Sequence, residues 1–217
     1  NKSVVIERRP ASVASISTFG ADVLTALGRK VDGLSMLNDK QSAFLSNATT
    51  GTLNLGEVHQ TNLELLAKLA PDLIIGLRTY TEPFEKKIEE SGAFLAFDLV
   101  TLDDSLSAIE RTTRALGEED RGAALNADFL ARLDEYASEA PGGVSAVFLW
   151  VWAEVPYAFY NHYLTTHIMG RLGAENVQGD TPTPQLKSPD SSAITMEALL
   201  RLDPDVIIAF KGDDGRF

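Results

Sequence analysis

Two cations occupy the same place in two similar stretches of this sequence. Arg78 follows the apolar run of PDLIIGL, and Lys211 follows that of PDVIIAF much later in the chain. Guanidinium and ammonium groups donate charge-assisted hydrogen bonds to anionic oxygens, and the planar guanidinium can do so in pairs. We interpret Arg78 and Lys211 as contacts for an oxygen-rich anion. The alternative for each is a solvated charge that ends a buried strand.

Aromatic side chains near these cations add a second kind of contact. Tyr80 lies two residues after Arg78, where its ring can stack on a ligand and its hydroxyl can donate a hydrogen bond. Trp150 and Trp152 both lie in the run VSAVFLWVW, and strand alternation places them on one side of it. We favour Trp152, which is nearer the predicted C-terminal end, and add Tyr160 from the segment that follows. The alternatives are that a tryptophan of this strand belongs to the core and that the tyrosines are ordinary loop residues.

The three histidines do not form a recognisable metal site. His59, His162 and His167 are scattered, and no carboxylate cluster accompanies them at fixed spacing, so zinc or manganese binding is not indicated. We therefore expect no direct metal ligand. His59, which precedes a predicted helix, stays a candidate for contact with an organic ligand.

An internal repeat links the two cation-bearing stretches. A constant shift along the chain lays Leu63–Arg78 over Met196–Lys211 with seven of sixteen positions identical, among them Glu64 over Glu197. An acidic residue in the first turn of a helix is favourable for the helix dipole, and Thr61 with Glu64 predicts a capping box. The repeat indicates two similar α/β halves. The alternative is that helix, Pro-Asp and strand form a local solution common to many doubly wound sheets.

The composition bounds the classes of function. The chain has 217 residues, 44% hydrophobic and 23% charged, which is typical of a globular protein. A net charge of −12 argues against nucleic acid or an anionic membrane surface as the main partner. There is no cysteine, which excludes disulfides and thiolate metal sites. No long apolar run is present, so any export signal or lipid anchor is expected upstream of this sequence.

The elements that must carry these residues alternate between β-branched runs and amphipathic runs. This rhythm predicts an α/β fold in which helices cover a parallel sheet, with ligands bound beyond the C-terminal ends of the strands. The longest amphipathic run, residues 118–140, contains no proline and is predicted to be a single helix. It divides the chain into an N-terminal lobe, residues 1–117, and a C-terminal lobe, residues 141–217.

The order of four motifs, LTALG, NLELLAKLAPDLIIG, RLGAENV and TMEALLRLDPDVIIA, resembles that of the class III periplasmic binding proteins. The resemblance runs from about Arg9 to Lys211. It implies two Rossmann-like lobes bridged by one long interdomain helix, with the ligand in the cleft between the lobes. It also implies that Glu64 and Glu197 dock on a membrane permease. Because family members continue beyond the second PDVII strand, the C-terminal lobe is expected to be incomplete here.

The resemblance implies a substrate-binding component of an ABC importer, acting in the periplasm or as a lipid-anchored surface protein and working as a monomer with a permease and its ATPase. We expect the ligand to be a ferric siderophore, whose iron arrives already chelated, so that no cofactor is needed. Haem is the alternative, with His59, Tyr80 or His162 as axial ligand, and cobalamin is a further member of the ligand class. No enzyme motif is present, and a non-transporting receptor of the same fold stays open. The expected ligand contacts are Arg78, Tyr80, Trp152, Tyr160, Lys211, Trp150 and His59.

Overall fold

The computed structural model describes residues 3–37, 45, 48–152, 154–185 and 190–210. The internal contacts divide the chain into two compact units. Unit 1 comprises Asn1–Asp98 and Leu106–Asn126, and unit 2 comprises Leu99–Ser105 and Ala127–Phe217. Within the described residues, no helix combines the length and the apolar character that a membrane crossing requires.

Unit 1 is built on a five-stranded sheet in which every neighbouring pair is parallel. The order is β3-β2-β1-β4-β5, so β1 and β4 lie side by side near the centre. A strand buried on both faces requires a continuous apolar run, and Leu73, Ile74 and Ile75 of β4 are fully buried. The strands are β1 (Val13–Ile16), β2 (Gly33–Met36), β3 (Leu53–Glu57), β4 (Leu73–Leu77) and β5 (Ala93–Phe97).

The helices of this part of the chain follow the strands. Gly28, with φ of 62°, directly follows the C-cap of α1 and donates its N–H to Thr25 O at 2.8 Å, as a C-terminal glycine is expected to do. After α3 the chain forms a 3-10 turn, Glu82–Phe84, and then a short helix. The helices are α1 (Thr18–Ala26), α2 (Leu63–Leu69), α3 (Arg78–Thr81), α4 (Glu85–Glu89) and α5 (Leu102–Ala115).

The long helix predicted over residues 118–140 is present as α6 (Glu119–Glu139). Its first residues, through Asn126, belong to unit 1 and the rest to unit 2. Of its large apolar side chains, Leu133 is buried, whereas Phe129 and Tyr136 are exposed. The predicted lobe boundaries at residues 117 and 141 stay predictions.

Unit 2 contains a second five-stranded sheet that is mixed rather than parallel. The order is β10-β6-β7-β9, and β8 also pairs with β6. β10 and β8 run parallel to β6, but β7 is antiparallel to both β6 and β9. The predicted α/β class is confirmed, although this sheet departs from the all-parallel expectation. The elements are β6 (Val144–Trp152), β7 (Val155–Phe159), α7 (Leu164–Arg171), β8 (Ala174–Asn176), β9 (Ser191–Ala193), α8 (Met196–Leu202) and β10 (Val206–Phe210).

The repeat seen in the sequence is matched by equal hydrogen bonding in the two units. In unit 1, Asp72 accepts bonds from the Ser12 N–H at 3.1 Å and the Ser12 hydroxyl at 3.3 Å. In unit 2, Asp205 accepts bonds from the Ser145 N–H at 2.8 Å and the Ser145 hydroxyl at 2.7 Å. The strand registers also agree, because the shift that aligns the two sequence copies lays the pairing of β1 with β4 onto that of β6 with β10.

These hydrogen bonds lower the pKa of both aspartates. The backbone N–H groups of Ala11 and Ser12, with the Arg8 guanidinium, hold the pKa of Asp72 at about 2. The backbone N–H and hydroxyl of Ser145 lower the pKa of Asp205. Each aspartate thus ties the start of one central strand to the start of its neighbour.

The starts of α2 and α8 are also capped at equivalent positions. The Asn62 side chain accepts a hydrogen bond from the backbone N–H three residues later at 3.0 Å, and Thr195 does the same at 3.1 Å. The hydroxyl of Thr61 lies instead 2.9 Å from Ser35 Oγ. The N-cap of α2 is therefore Asn62, one residue later than predicted, and asparagine is a preferred N-cap residue. The predicted capping box of Thr61 with Glu64 is wrong.

Burial distinguishes the two copies. The isoleucines Ile74 and Ile75 of β4 are fully buried, whereas their equivalents in β10, Ile207 and Ile208, are 53% and 40% exposed. In unit 1, β4 lies between β1 and β5. Among the described residues, β10 pairs with β6 alone. Among the described residues, the same apolar sequence is therefore buried in β4 and partly exposed in β10.

Candidate functional site

The C-terminal edge of the unit 1 sheet gathers the polar and aromatic residues predicted to bind ligand. His59 follows β3 in a 3-10 turn, Arg78 and Tyr80 follow β4 in α3, and Asp98 follows β5. Because all five strands are parallel, these chain positions share one edge. Tyr80 lies on a helical turn rather than in the predicted loop, since α3 begins directly after β4.

Arg78 is held by acidic neighbours. Its Nε donates to Asp98 Oδ2 at 3.3 Å, and its Nη1 lies 3.9 Å from Glu85 Oε2. Its Nη2 donates to the carbonyl oxygen of Ala96 at 3.4 Å. The side chain is 42% exposed, and ion pairs at exposed sites contribute little, so an anionic ligand can replace these carboxylates. The pairs orient the guanidinium without removing it from solvent.

Tyr80 and His59 form an aromatic pair at the same edge. Their ring centroids are 4.7 Å apart and their planes meet at 83°, an edge-to-face arrangement. Tyr80 is half-buried, and burial raises the pKa of its hydroxyl, which therefore stays protonated and able to donate. His59 is exposed. The pair offers a hydroxyl donor, an imidazole and an aromatic surface to one ligand.

The predicted site residues of unit 1 form two groups rather than one. Residues two apart on a helix do not face the same way, so Arg78 and Tyr80 leave α3 in different directions. Tyr80 meets His59, whereas Arg78 meets Asp98. Asp98 was not among the site residues predicted from the sequence, although it lies directly after β5 as Arg78 lies directly after β4.

Phe19 is a second residue at this edge that was not predicted from the sequence. It lies in the first turn of α1, directly after the central strand β1. Its ring contacts the Phe97 ring edge-on at a centroid distance of 5.7 Å. The signal that could have found it is its place after β1, because the residues beyond a central strand face the ligand edge.

The candidates of unit 2 differ in accessibility. Trp150 is 41% exposed, and its neighbours in the sheet are Tyr157 of β7 and Phe210 of β10. Trp152 is the last residue of β6, where its backbone pairs with Val155. The side chain of Trp152 and the whole of Lys211 lie outside the described residues.

Tyr160 lies deeper than the sequence suggested. It is 7% exposed, and its ring stacks on the His162 ring at a centroid distance of 6.4 Å. Little of the ring is open to a ligand in this conformation. Its role as a ligand contact stays a prediction.

Glu64 and Glu197 occupy equivalent places on the surface of their own units. Each lies in the first turn of its helix, α2 or α8, and each is exposed. Asparagine and threonine cap these helices, so neither glutamate is needed as a capping partner. Neither carboxylate is required to cap its helix.

The described residues contain no group of three or more histidine, aspartate or glutamate side chains placed to hold a metal ion. The donors at the unit 1 edge are instead a guanidinium, a hydroxyl and an imidazole. These groups suit the oxygen atoms of an organic anion.

Comparison with known proteins identifies the fold. A family model described as periplasmic binding protein matches residues 13–216. The triscatecholate siderophore binding protein FeuA of Bacillus subtilis, complexed with ferri-bacillibactin, superposes with a TM-score of 0.77 at 17% identity, covering 99% of this chain and 75% of that chain. No curated protein matches the sequence.

Two further solved structures share the fold. Staphylococcus aureus SirA complexed with staphyloferrin B gives a TM-score of 0.74 at 18% identity, covering 96% of this chain and 74% of that chain. The iron uptake ABC transporter substrate-binding protein PiuA of Streptococcus pneumoniae gives 0.76 at 20% identity, covering 94% and 72%.

Proposed function

Because this chain belongs to the periplasmic binding protein family, we propose that it is the substrate-binding component of an ABC importer and that its ligand is a ferric siderophore. The observation that carries the proposal is the donor set at the C-terminal edge of the unit 1 sheet, Arg78 with the Tyr80–His59 pair. The ferri-bacillibactin of FeuA and the staphyloferrin B of SirA support this ligand class.

The chemistry of a ferric siderophore fits these donors. A hexadentate chelator fills the octahedral shell of the iron, so the protein needs to recognise only the outside of the complex. That surface presents oxygens that often carry net negative charge, and a guanidinium and a phenolic hydroxyl donate hydrogen bonds to them. The further proposed contacts, in unit 2, are Trp150, Trp152, Tyr160 and Lys211.

Haem is the second candidate ligand, because imidazole and phenolate are both axial ligands of haem iron. The exposed His59 beside Tyr80 favours this reading. The raised pKa of Tyr80 opposes it, since a tyrosine must lose its proton to ligate iron. Among the pair, His59 is therefore the residue on which haem binding would depend.

A fluorescence titration tests the ligand. Both tryptophans lie in β6, so quenching of their emission reports binding of a coloured iron complex. The titrants are a ferric hydroxamate, ferric citrate, a ferric catecholate, haem and cobalamin. Saturable quenching by one ferric siderophore supports the proposal. Quenching by haem alone, with a Soret shift lost in His59→Ala, contradicts it.

A matched pair of arginine variants tests the role of Arg78. Losing its charge-assisted hydrogen bonds in Arg78→Gln is expected to weaken siderophore binding about ten- to a hundredfold. Arg132→Gln is the control, because Arg132 forms a comparable exposed ion pair with Asp128 at 3.1 Å on α6. Equal siderophore affinities of Arg78→Gln and Arg132→Gln would show that Arg78 does not contact the ligand.

We propose that Glu64 and Glu197 dock the loaded protein on the permease, outside the cytoplasmic membrane. Their exposed, equivalent positions support this, since two weak contacts on one partner reinforce each other. The variant with both Glu64→Gln and Glu197→Gln is expected to keep siderophore affinity while losing stimulation of the importer ATPase in vesicles. Full stimulation by this variant would reject the docking role.

A further inference from the structure

A groove on unit 1 is lined by four arginines, although the whole chain carries a net charge of −12. Its volume is about 600 Å³, and Val4, Ile6 and Leu95 form its apolar wall. We call it the arginine groove. Its arginines are Arg8, Arg9, Arg111 and Arg114.

Two of these arginines are committed to the fold. Arg8 Nη2 lies 2.8 Å from Asp72 Oδ1. Arg9 Nη2 lies 2.9 Å from Glu118 Oε1, and its Nε donates to the carbonyl oxygen of Leu116 at 2.9 Å. These contacts hold the N-terminal segment in place as one side of the groove and pair Arg8 and Arg9 each with a carboxylate.

The other two arginines are not neutralised in this way. Arg111 and Arg114 are one turn apart on α5, a spacing that places both on one face of the helix. The Arg111 guanidinium lies over the Phe97 ring at 5.1 Å from its centroid. Across the part of the chain that the structure describes, neither forms an ion pair, and the groove lining holds a single carboxylate, Glu7.

We propose that the arginine groove binds a small polyanion that carries two or more carboxylate or phosphate groups. Two guanidinium forks one helical turn apart match two anionic groups of one molecule, and each fork can bind an anion through paired hydrogen bonds. The stacking of Arg111 on Phe97 fixes one fork before binding. The apolar wall receives the carbon skeleton of such a ligand.

The arginine groove differs from the proposed siderophore site. Neither Arg78 nor Tyr80 lines it. Arg111 also borders a small cavity of about 60 Å³ beside Arg78, whereas Arg114 does not. Arg114 is therefore the residue that distinguishes the two sites.

Isothermal titration calorimetry on the whole chain at low ionic strength tests the proposal, with pyrophosphate and iron-free citrate as probes. Saturable binding of either probe is expected, weakened about ten- to a hundredfold in Arg114→Gln. Arg132→Gln, whose arginine lies outside the groove, is expected to bind as the unchanged protein does. If only citrate binds, carboxylate is the preferred group of the ligand. If only pyrophosphate binds, phosphate is the preferred group.

No saturable heat for either probe up to millimolar concentration would overturn the proposal, as would equal losses in Arg114→Gln and Arg132→Gln. Arg111→Gln is a second variant, and circular dichroism shows whether loss of the Phe97 contact unfolds it. If it does, Arg114→Gln alone decides. Siderophore affinity in Arg114→Gln is expected to be unchanged, so this proposal and the proposed function can fail independently.

Discussion

The equivalent isoleucines Ile74 and Ile207 allow a quantitative test of the difference in burial between β4 and β10. Replacing isoleucine by alanine removes three carbons, about 2.4 kcal/mol of transfer free energy when the side chain is fully buried. Ile74 is fully buried, and the cavity left behind adds a further penalty, so Ile74→Ala is expected to cost about 3.5 kcal/mol.

Ile207 is 53% exposed, so less than half of the same transfer term applies. Its site opens to solvent, and no cavity forms. Ile207→Ala is therefore expected to cost about 1 kcal/mol. Both changes are isoleucine to alanine at matched positions of equivalent strands, so the side-chain atoms removed are the same in the two variants.

Urea unfolding measures both free energies. Tryptophan fluorescence reports unit 2, since Trp150 and Trp152 both lie in β6, and far-ultraviolet circular dichroism reports both units. If the units unfold separately, the two probes give separate transitions, each with its own midpoint. A cost for Ile207→Ala within about 0.5 kcal/mol of that for Ile74→Ala would refute the reasoning, because β10 would then be buried in solution.

Three further predictions concern residues that hold the strands and helices of unit 1 in place. Asp72 has a folded-state pKa of about 2, below its ordinary 3.8, so its contribution to stability is present above pH 4 and is lost as the pH falls toward 2. Asp72→Asn is therefore expected to flatten acid unfolding over that range, followed by circular dichroism. Gly20→Ala is expected to cost about 1–3 kcal/mol in thermal unfolding, because its Cβ would overlap Ser15 Oγ and Ile75 Cγ2. Gly170→Ala, in an open helical position, is expected to stabilise the fold by about 0.5–1 kcal/mol. Asn62→Ala is expected to cost about 1 kcal/mol of unfolding free energy through loss of the N-cap, measured in urea.

The sequence was sufficient to predict the strands that repeat. A continuous apolar run after Pro-Asp identified β4 and β10, and the shift that aligns the two copies also matches their registers with β1 and β6. It was not sufficient for β7. That strand contains Pro156, which lacks a backbone N–H and weighs against strand assignment, yet the residue pairs with Val151 across the sheet.

The candidate site was predictable only in part. Arg78 was identified because it follows an apolar run in its own segment. Its partner Asp98 lies 20 residues later, after a different strand, and only the order β4-β5 brings the two together. The contact of His59 with Tyr80 likewise depends on which strands share an edge, which local periodicity does not encode. The exposure of β10 could not be predicted for the same reason, because two strands of similar sequence have different neighbours in their sheets.

The paired serine and aspartate contacts have a consequence for the speed of folding. Ser12 and Asp72 are 60 residues apart, and so are Ser145 and Asp205. Closing a flexible loop of this length costs about 3.6 kcal/mol, from (3/2)RT ln n, beyond a constant. The contact between serine and aspartate therefore carries the same loop-closure cost in both units. Unit 2 differs in that β6 also pairs with its sequence neighbour β7, a local contact that closes with a much smaller loop and that the all-parallel sheet of unit 1 does not offer.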